Sequence, residues 1–132
     1  MKNDFSGTWV ADLSQSKLRG AVPTALTICI EHSNDTLKEE VIILTPEKGE
    51  RRSVLQCHIG VQPGHSTLDG TLVRGGAKWD EEELVIDLWV EAGGRELHLC
   101  DYWSLSNDGQ VLTMEHRNDD LAGQKTVLRR SE

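Results

Sequence analysis

Short turn signals interrupt this chain at regular intervals, and no apolar run in it has a helical period. Asn34-Asp35, Gly93-Gly94 and Asn107-Asp108-Gly109 each separate two segments in which oily and polar residues alternate. Alternation with period two marks a half-buried strand, and Gly, Asn and Asp between two such runs favour a tight hairpin. The pattern recurs in FSGTWVA, LTICIEH (26–32), LKEEVIIL (37–44), RRSVLQCHI (51–59), TLVRGGAKW (71–79), LVIDLWVEA (84–92), RELHLCDYWSL (95–105), VLTMEHR (111–117) and KTVLRR (125–130). About nine strands at close spacing predict an all-β sandwich or barrel. Leu13 to Ala21 is the one stretch that reads as a turn or short 3₁₀ segment. KWDEEELVI and YWSLSNDGQVLTM both run Trp, tight turn, alternating Leu, which reads as a repeated hairpin. An isolated hairpin is marginal in water, so the meander should curl over a shared core, and closure removes its free edges. The expectation is a single up-and-down antiparallel barrel of about 8–10 strands, one domain over residues 1–132.

Two-residue loops fix the register. With Gly93-Gly94 as such a loop, Val90 faces Leu97, Leu88 faces Leu99 and Ile86 faces Asp101. With Asp108-Gly109, Trp103 faces Met114 and Asp101 faces His116; a three-residue loop with a bulge would instead set Asp101 opposite Glu115. With Asn34-Asp35, Ile30 faces Glu39 and Ile28 faces Val41. These registers place Leu26, Ile28, Ile30, Val41, Leu84, Ile86, Leu88, Leu99, Trp103, Leu112 and Met114 on one face, the expected interior. Lys38, Glu40, Asp87, Glu91, Glu96, Glu115 and Arg117 fall on the other. Gly75-Gly76 lies inside a strand, as at a bulge or sharp bend, or where the wall opens to a ligand.

The opening stretch FSGTWVADLSQSKL carries Gly7 and Trp9 as G-T-W on the first strand, and the last strand carries Arg129 and Arg130. This resembles the lipocalin and fatty-acid-binding superfamily, the calycins, in which an Arg of the last strand packs over that Trp as a cation–π pair. The series SGTWVADLSQSK, LTICIEHSNDTLK, AKWDEEELVI and YWSLSNDGQVLTMEH resembles a group of small bacterial lipocalin-like proteins, over most of the chain. The resemblance implies a lipocalin-like barrel around a small-molecule cavity. The chain departs from fatty-acid-binding proteins in lacking a helix pair after the first strand, and from secreted lipocalins in lacking their further short motifs. No ligand class is carried over.

Composition narrows the partners. The formal net charge is −8, from 22 acidic and 14 basic residues, and basic residues pair only at Arg51-Arg52 and Arg129-Arg130. Phosphate neutralisation needs a basic stripe, so no nucleic acid is expected, and the acidity argues against an anionic membrane surface. No stretch approaches the ~18 apolar residues of a spanning helix. MKNDFSG has no apolar leader region, so a cytoplasmic protein is expected, or a periplasmic or secreted one whose leader precedes this sequence. Cys29, Cys57 and Cys100 each lie within a strand segment without CxxC spacing, as reduced thiols filling small gaps. A monomer or homodimer is expected, the latter through an outer patch around Trp89.

The residues that can carry chemistry are the polar ones on the apolar face: Glu39, Asp101, His116 and His32. An unpaired buried carboxylate is costly, so each should be paired, near the mouth or functional. Asp101 opposite His116 is a carboxylate positioned to hold an imidazole, the arrangement of an acid/base pair. Trp79 and Trp103 are expected to flank it, with Met114, Leu88, Leu99 and Ile30 completing a ligand-binding wall. His32 reads as an exposed strand-end residue beside the Asn34 turn. Cys57 and His58 are adjacent and so point to opposite faces. His98 and Cys100 share the outer face, but no third ligand is evident, so neither a metal nor a cofactor is expected. No nucleophile elbow, phosphate-binding loop or dinucleotide fingerprint occurs. Three readings follow: a binder of a small, largely apolar molecule; an enzyme using the cavity as an isomerase, cyclase, dehydratase or hydrolase with Asp101, His116 or Glu39; and a filled-core interaction module.

Overall fold

The computed structural model describes residues 4–18, 23–60, 64–117 and 124–131. Among them are ten strands and no helix: β1 (Gly7–Ala11), β2 (Ala25–His32), β3 (Thr36–Thr45), β4 (Gly49–His58), β5 (His65–Leu68), β6 (Thr71–Asp80), β7 (Glu83–Ala92), β8 (Arg95–Leu105), β9 (Val111–His116) and β10 (Gln124–Arg130). Each strand pairs antiparallel with its sequence neighbours, and β1 pairs with β10, closing the barrel. The tenth strand, β5, is absent from the sequence expectation. It pairs with β6 through a turn at Asp69-Gly70, where φ is 53° and 82°. An Asp-Gly turn is among the strongest hairpin signals.

The expected registers are present: Leu88 faces Leu99, Ile86 faces Asp101, Asp101 faces His116 and Ile30 faces Glu39. The turn chemistry is more varied than expected. Gly93 and Gly94 both have positive φ, as a type I′ turn requires. The Asp108-Gly109 loop is wider than two residues: the Ser106 N–H donates to the Val111 carbonyl, and the Gly109 N–H donates to the Ser106 carbonyl. A four-residue loop has the same parity as a two-residue one, so the register survives. Neither Asn34 nor Asp35 has a positive φ, although the Ser33 N–H still bonds the Thr36 carbonyl across them. Within the Leu13–Ala21 stretch, residues 13–15 form a turn and Lys17 bridges Lys125; residues 19–21 lie outside the described residues.

The first strand is locked by the residues that carried the resemblance. The Arg130 guanidinium lies 4.3 Å from the centroid of Trp9 and donates to the Ser6 carbonyl at 2.6 Å. A Cβ at Gly7 would stand 2.6 Å from that guanidinium, and φ there is +137°, so only glycine leaves room for the cation above the indole. Gly75 is required for a different reason. Its φ is +116°, and a Cβ would come within 2.1 Å of the Asp87 carbonyl oxygen of β7. Here β6 stops pairing with β5, and Ala77 bridges Ile59 beyond β4. Among the described residues the β4–β5 ladder is the shortest, with two residue pairs, Leu55 with Leu68 and Gln56 with Thr67.

The interior is filled unevenly. At the end where β2 turns into β3, Phe5 folds inward from ahead of β1 and is fully buried. It stacks on Trp79 at 6.0 Å, meets Trp103 edge-on at 5.7 Å and lies beside His32 at 5.7 Å. Trp9, Leu37, Leu84, Leu112 and Leu128 complete this packed floor. The opposite end, where β3 turns into β4, is the mouth.

Candidate functional site

Above the aromatic floor the barrel is hollow. A cavity lobe of about 360 Å³ toward the mouth is walled by Leu26, Ile28, Ile43, Met114 and Thr126, with Leu18 and Pro23 of the β1–β2 connection over it. A second lobe of about 220 Å³ runs between Ser53, Leu55, Leu68, Ile86, Leu88 and Leu99. Glu39, Val41, Asp101 and His116 line both lobes. Strand parity brings them inward: Glu39 and Val41 two apart on β3, Asp101 on β8, and His116 its direct partner on β9.

His116 Nδ1 and Asp101 Oδ1 are 2.5 Å apart. Burial alone would lower the His116 pKa, but the hydrogen bond and charge of Asp101 outweigh it, and the net shift is upward. With Nδ1 engaged, Nε2 is the imidazole atom left for other contacts. Glu39 is 8 % exposed. Burial, with the nearby negative charge of Asp101 added, pushes its carboxyl up to about 8. At neutral pH the cavity wall therefore holds a carboxylic acid able to donate a hydrogen bond, beside an imidazole braced by a carboxylate. The protonated Glu39 carboxyl and the Asp101–His116 pair place a proton donor and a proton-accepting group in one chamber.

The other residues expected to line the ligand wall divide between the two ends. Met114 borders the mouth lobe, and Leu88 and Leu99 border the inner one. Trp79 and Trp103 border neither lobe; Phe5 draws both into the packed floor. Ile30 lies one inward step beyond Ile28 toward that floor and is also buried away from the lobes. The expectation for His32 was incorrect. Its side chain is only 7 % exposed, its Nδ1 accepts the Phe5 main-chain N–H at 3.1 Å, and burial lowers its pKa. Among the described residues a wider groove of about 670 Å³ lies on this side of the molecule, lined by His32, Lys38, Gln56, His58 and His65. Ile30, Leu37, Cys57 and Leu72 line it too, and it includes none of Glu39, Asp101 or His116.

On the outer face Trp89 is covered by its own neighbours. The Arg74 guanidinium lies 4.5 Å from its centroid on one side, and His98 stacks at 4.7 Å on the other. The three cysteines are free thiols.

Fold and cavity together define a closed ten-stranded antiparallel β-barrel that encloses a chamber with ionisable walls. No protein-family model matches the chain, and no curated protein matches it in sequence.

Proposed function

We propose that this is a lipocalin-like barrel that binds a small, largely apolar molecule in the two-lobed cavity, oriented by Glu39, Asp101 and His116. The observation that carries the reading is the make-up of the chamber: aliphatic walls interrupted at one level by a neutral acid and an imidazole–carboxylate pair. Ligand pockets are apolar with a few convergent polar groups, and ~300 Å³ is near the lower end of their range. The volume supports a compact ligand. An apolar body would fill the lobes between Ile28, Ile86 and Leu88, while a polar group such as a carbonyl would accept from Glu39 or meet His116. The charged outer face supports a water-facing protein.

The test is a thermal-shift and native mass-spectrometry screen of the full chain against small hydrophobic carbonyl and hydroxyl compounds. Binding that is lost when Val41 is replaced by Trp, which fills the chamber from the wall both lobes share, supports the reading. If no compound shifts the melting temperature, the reading fails.

The same chamber supports a second reading, acid/base catalysis, because Glu39 and the Asp101–His116 pair offer both a donor and an acceptor. His116→Ala separates the two. A binder loses some affinity, whereas an enzyme loses about a hundredfold or more in turnover.

A further inference from the structure

We propose that Asp87, His98 and Cys100, on the outer wall of the barrel, form a binding site for a divalent transition metal, best matched by zinc. Sequence spacing shows His98 and Cys100 sharing a face; the third donor comes from the neighbouring strand. Asp87 on β7 is the direct partner of Cys100 on β8, and His98 precedes Cys100 by two residues on the same side. Facing side chains in adjacent strands start with Cβ atoms about 5 Å apart, so the register converges the three donors before any ion arrives. One carboxylate oxygen, one imidazole nitrogen and the thiol sulfur all lie within 4.8 Å of one another.

The donor types choose the ion. Magnesium and calcium are bound by oxygen atoms alone, whereas a thiolate with an imidazole and a carboxylate suits zinc. The charge balances as well, since one carboxylate and one thiolate neutralise a divalent cation. His98 Nε2 already points at Asp87 Oδ1, 2.9 Å away. Two donors of one tetrahedral zinc lie about 3.3 Å apart, given metal–ligand distances of ~2.0–2.1 Å, so the His98–Asp87 pair opens by a few tenths of an ångström while the Cys100 sulfur, within 4.8 Å of both, closes on the ion.

The surroundings hold the ligands in place. Trp89 stacks on the His98 ring with 9° between planes and is backed by Arg74, which reaches on to Glu96. The stacking limits how far the His98 ring can tilt. Cys100 is buried while His98 is 47 % exposed, so the cluster is closed beneath and open above. Binding forms the metal–sulfur bond and releases the thiol proton to solvent. Three protein donors leave a fourth position on the solvent side for water, the arrangement of an open rather than a sealed site.

Cobalt(II) titration of the full chain, followed by zinc competition, tests the site without reference to the cavity. The expected result is a near-ultraviolet thiolate-to-cobalt charge-transfer band with the visible bands of a tetrahedral ion, both removed by zinc. Cys100→Ser should abolish the charge-transfer band. His98→Gln and Asp87→Asn should each weaken binding at least tenfold, since loss of even an outer-shell partner costs about 10–100-fold. Thermal melts of each variant check that the barrel is intact, and zinc should raise the melting temperature of the native chain but not of Cys100→Ser. Absence of the band in the native chain, its persistence in Cys100→Ser through another thiol, or equal affinities in all variants would each overturn the proposal and leave a hydrogen-bonded surface trio.

Discussion

At the residue scale, Glu39 carries the sharpest consequence. Its carboxyl titrates near 8 in the fold against 4.5 as a free side chain. Between those values the unfolded chain has released the proton and the folded chain retains it. Raising the pH across that window therefore lowers stability, by an amount on the order of a few kcal/mol. Glu39→Gln removes the dependence. It should leave the urea midpoint nearly unchanged at pH 5 and raise it progressively toward pH 8; a difference that stays flat with pH would show that Glu39 is charged in the fold. Residues differed in how far the sequence exposed their roles. Gly7 and Trp9 were readable through the resemblance, which left the cation open between Arg129 and Arg130; the structure sets Arg130 over the indole. Parity alone brought Asp101 to His116. His32 was misread because its burial depends on Phe5, whose inward turn leaves no mark in a periodic pattern. Asp87 comes beside His98 and Cys100 through cross-strand pairing, which spacing along β8 does not show.

At the element scale, strand positions were legible and turn geometries less so. Alternation is a property of each strand, whereas a loop of two or four residues gives the same parity and hides its conformation. β5 was overlooked because four residues are too few to show a period; Asp69-Gly70 was the available signal. The β6–β7 hairpin contains a local compromise. Asp80 pairs with Glu83, leaving Glu81-Glu82 as the loop, and Glu81 has φ of +58° while Glu82 does not share a positive value. A positive φ at the first central position is the type II′ pattern, which favours glycine. A left-handed conformation costs a non-glycine residue roughly 1–2 kcal/mol, partly offset by the greater freedom of glycine in the unfolded chain. Glu81→Gly should therefore stabilise the barrel by up to about 1 kcal/mol in urea unfolding, and a destabilised variant would mean that the Glu81 side chain makes a compensating contact.

At the scale of the whole molecule, the barrel separates its tasks by height. The floor holds Phe5, Trp9 and Trp103, all fully buried, and the level above holds the cavity and its ionisable groups. A chain read only by period cannot reveal this division, since floor and chamber share one alternating pattern. Phe5→Ala should cost about 3–5 kcal/mol, the usual range for removing a large buried aromatic ring. Any ligand of the upper chamber should bind the folded variant with unchanged affinity. Loss of that binding at a temperature where the variant remains folded would mean that floor and chamber act as one unit. The two-rung ladder between β4 and β5 has a mechanical consequence as well. Asp69 reinforces it, accepting the Val54 N–H at 2.7 Å and the Ser53 hydroxyl at 3.1 Å with its carboxylate. A cylinder pulled apart yields along its thinnest joint, and in this one the tear should start between these two strands, where the Asp69 carboxylate adds two hydrogen bonds to the seam.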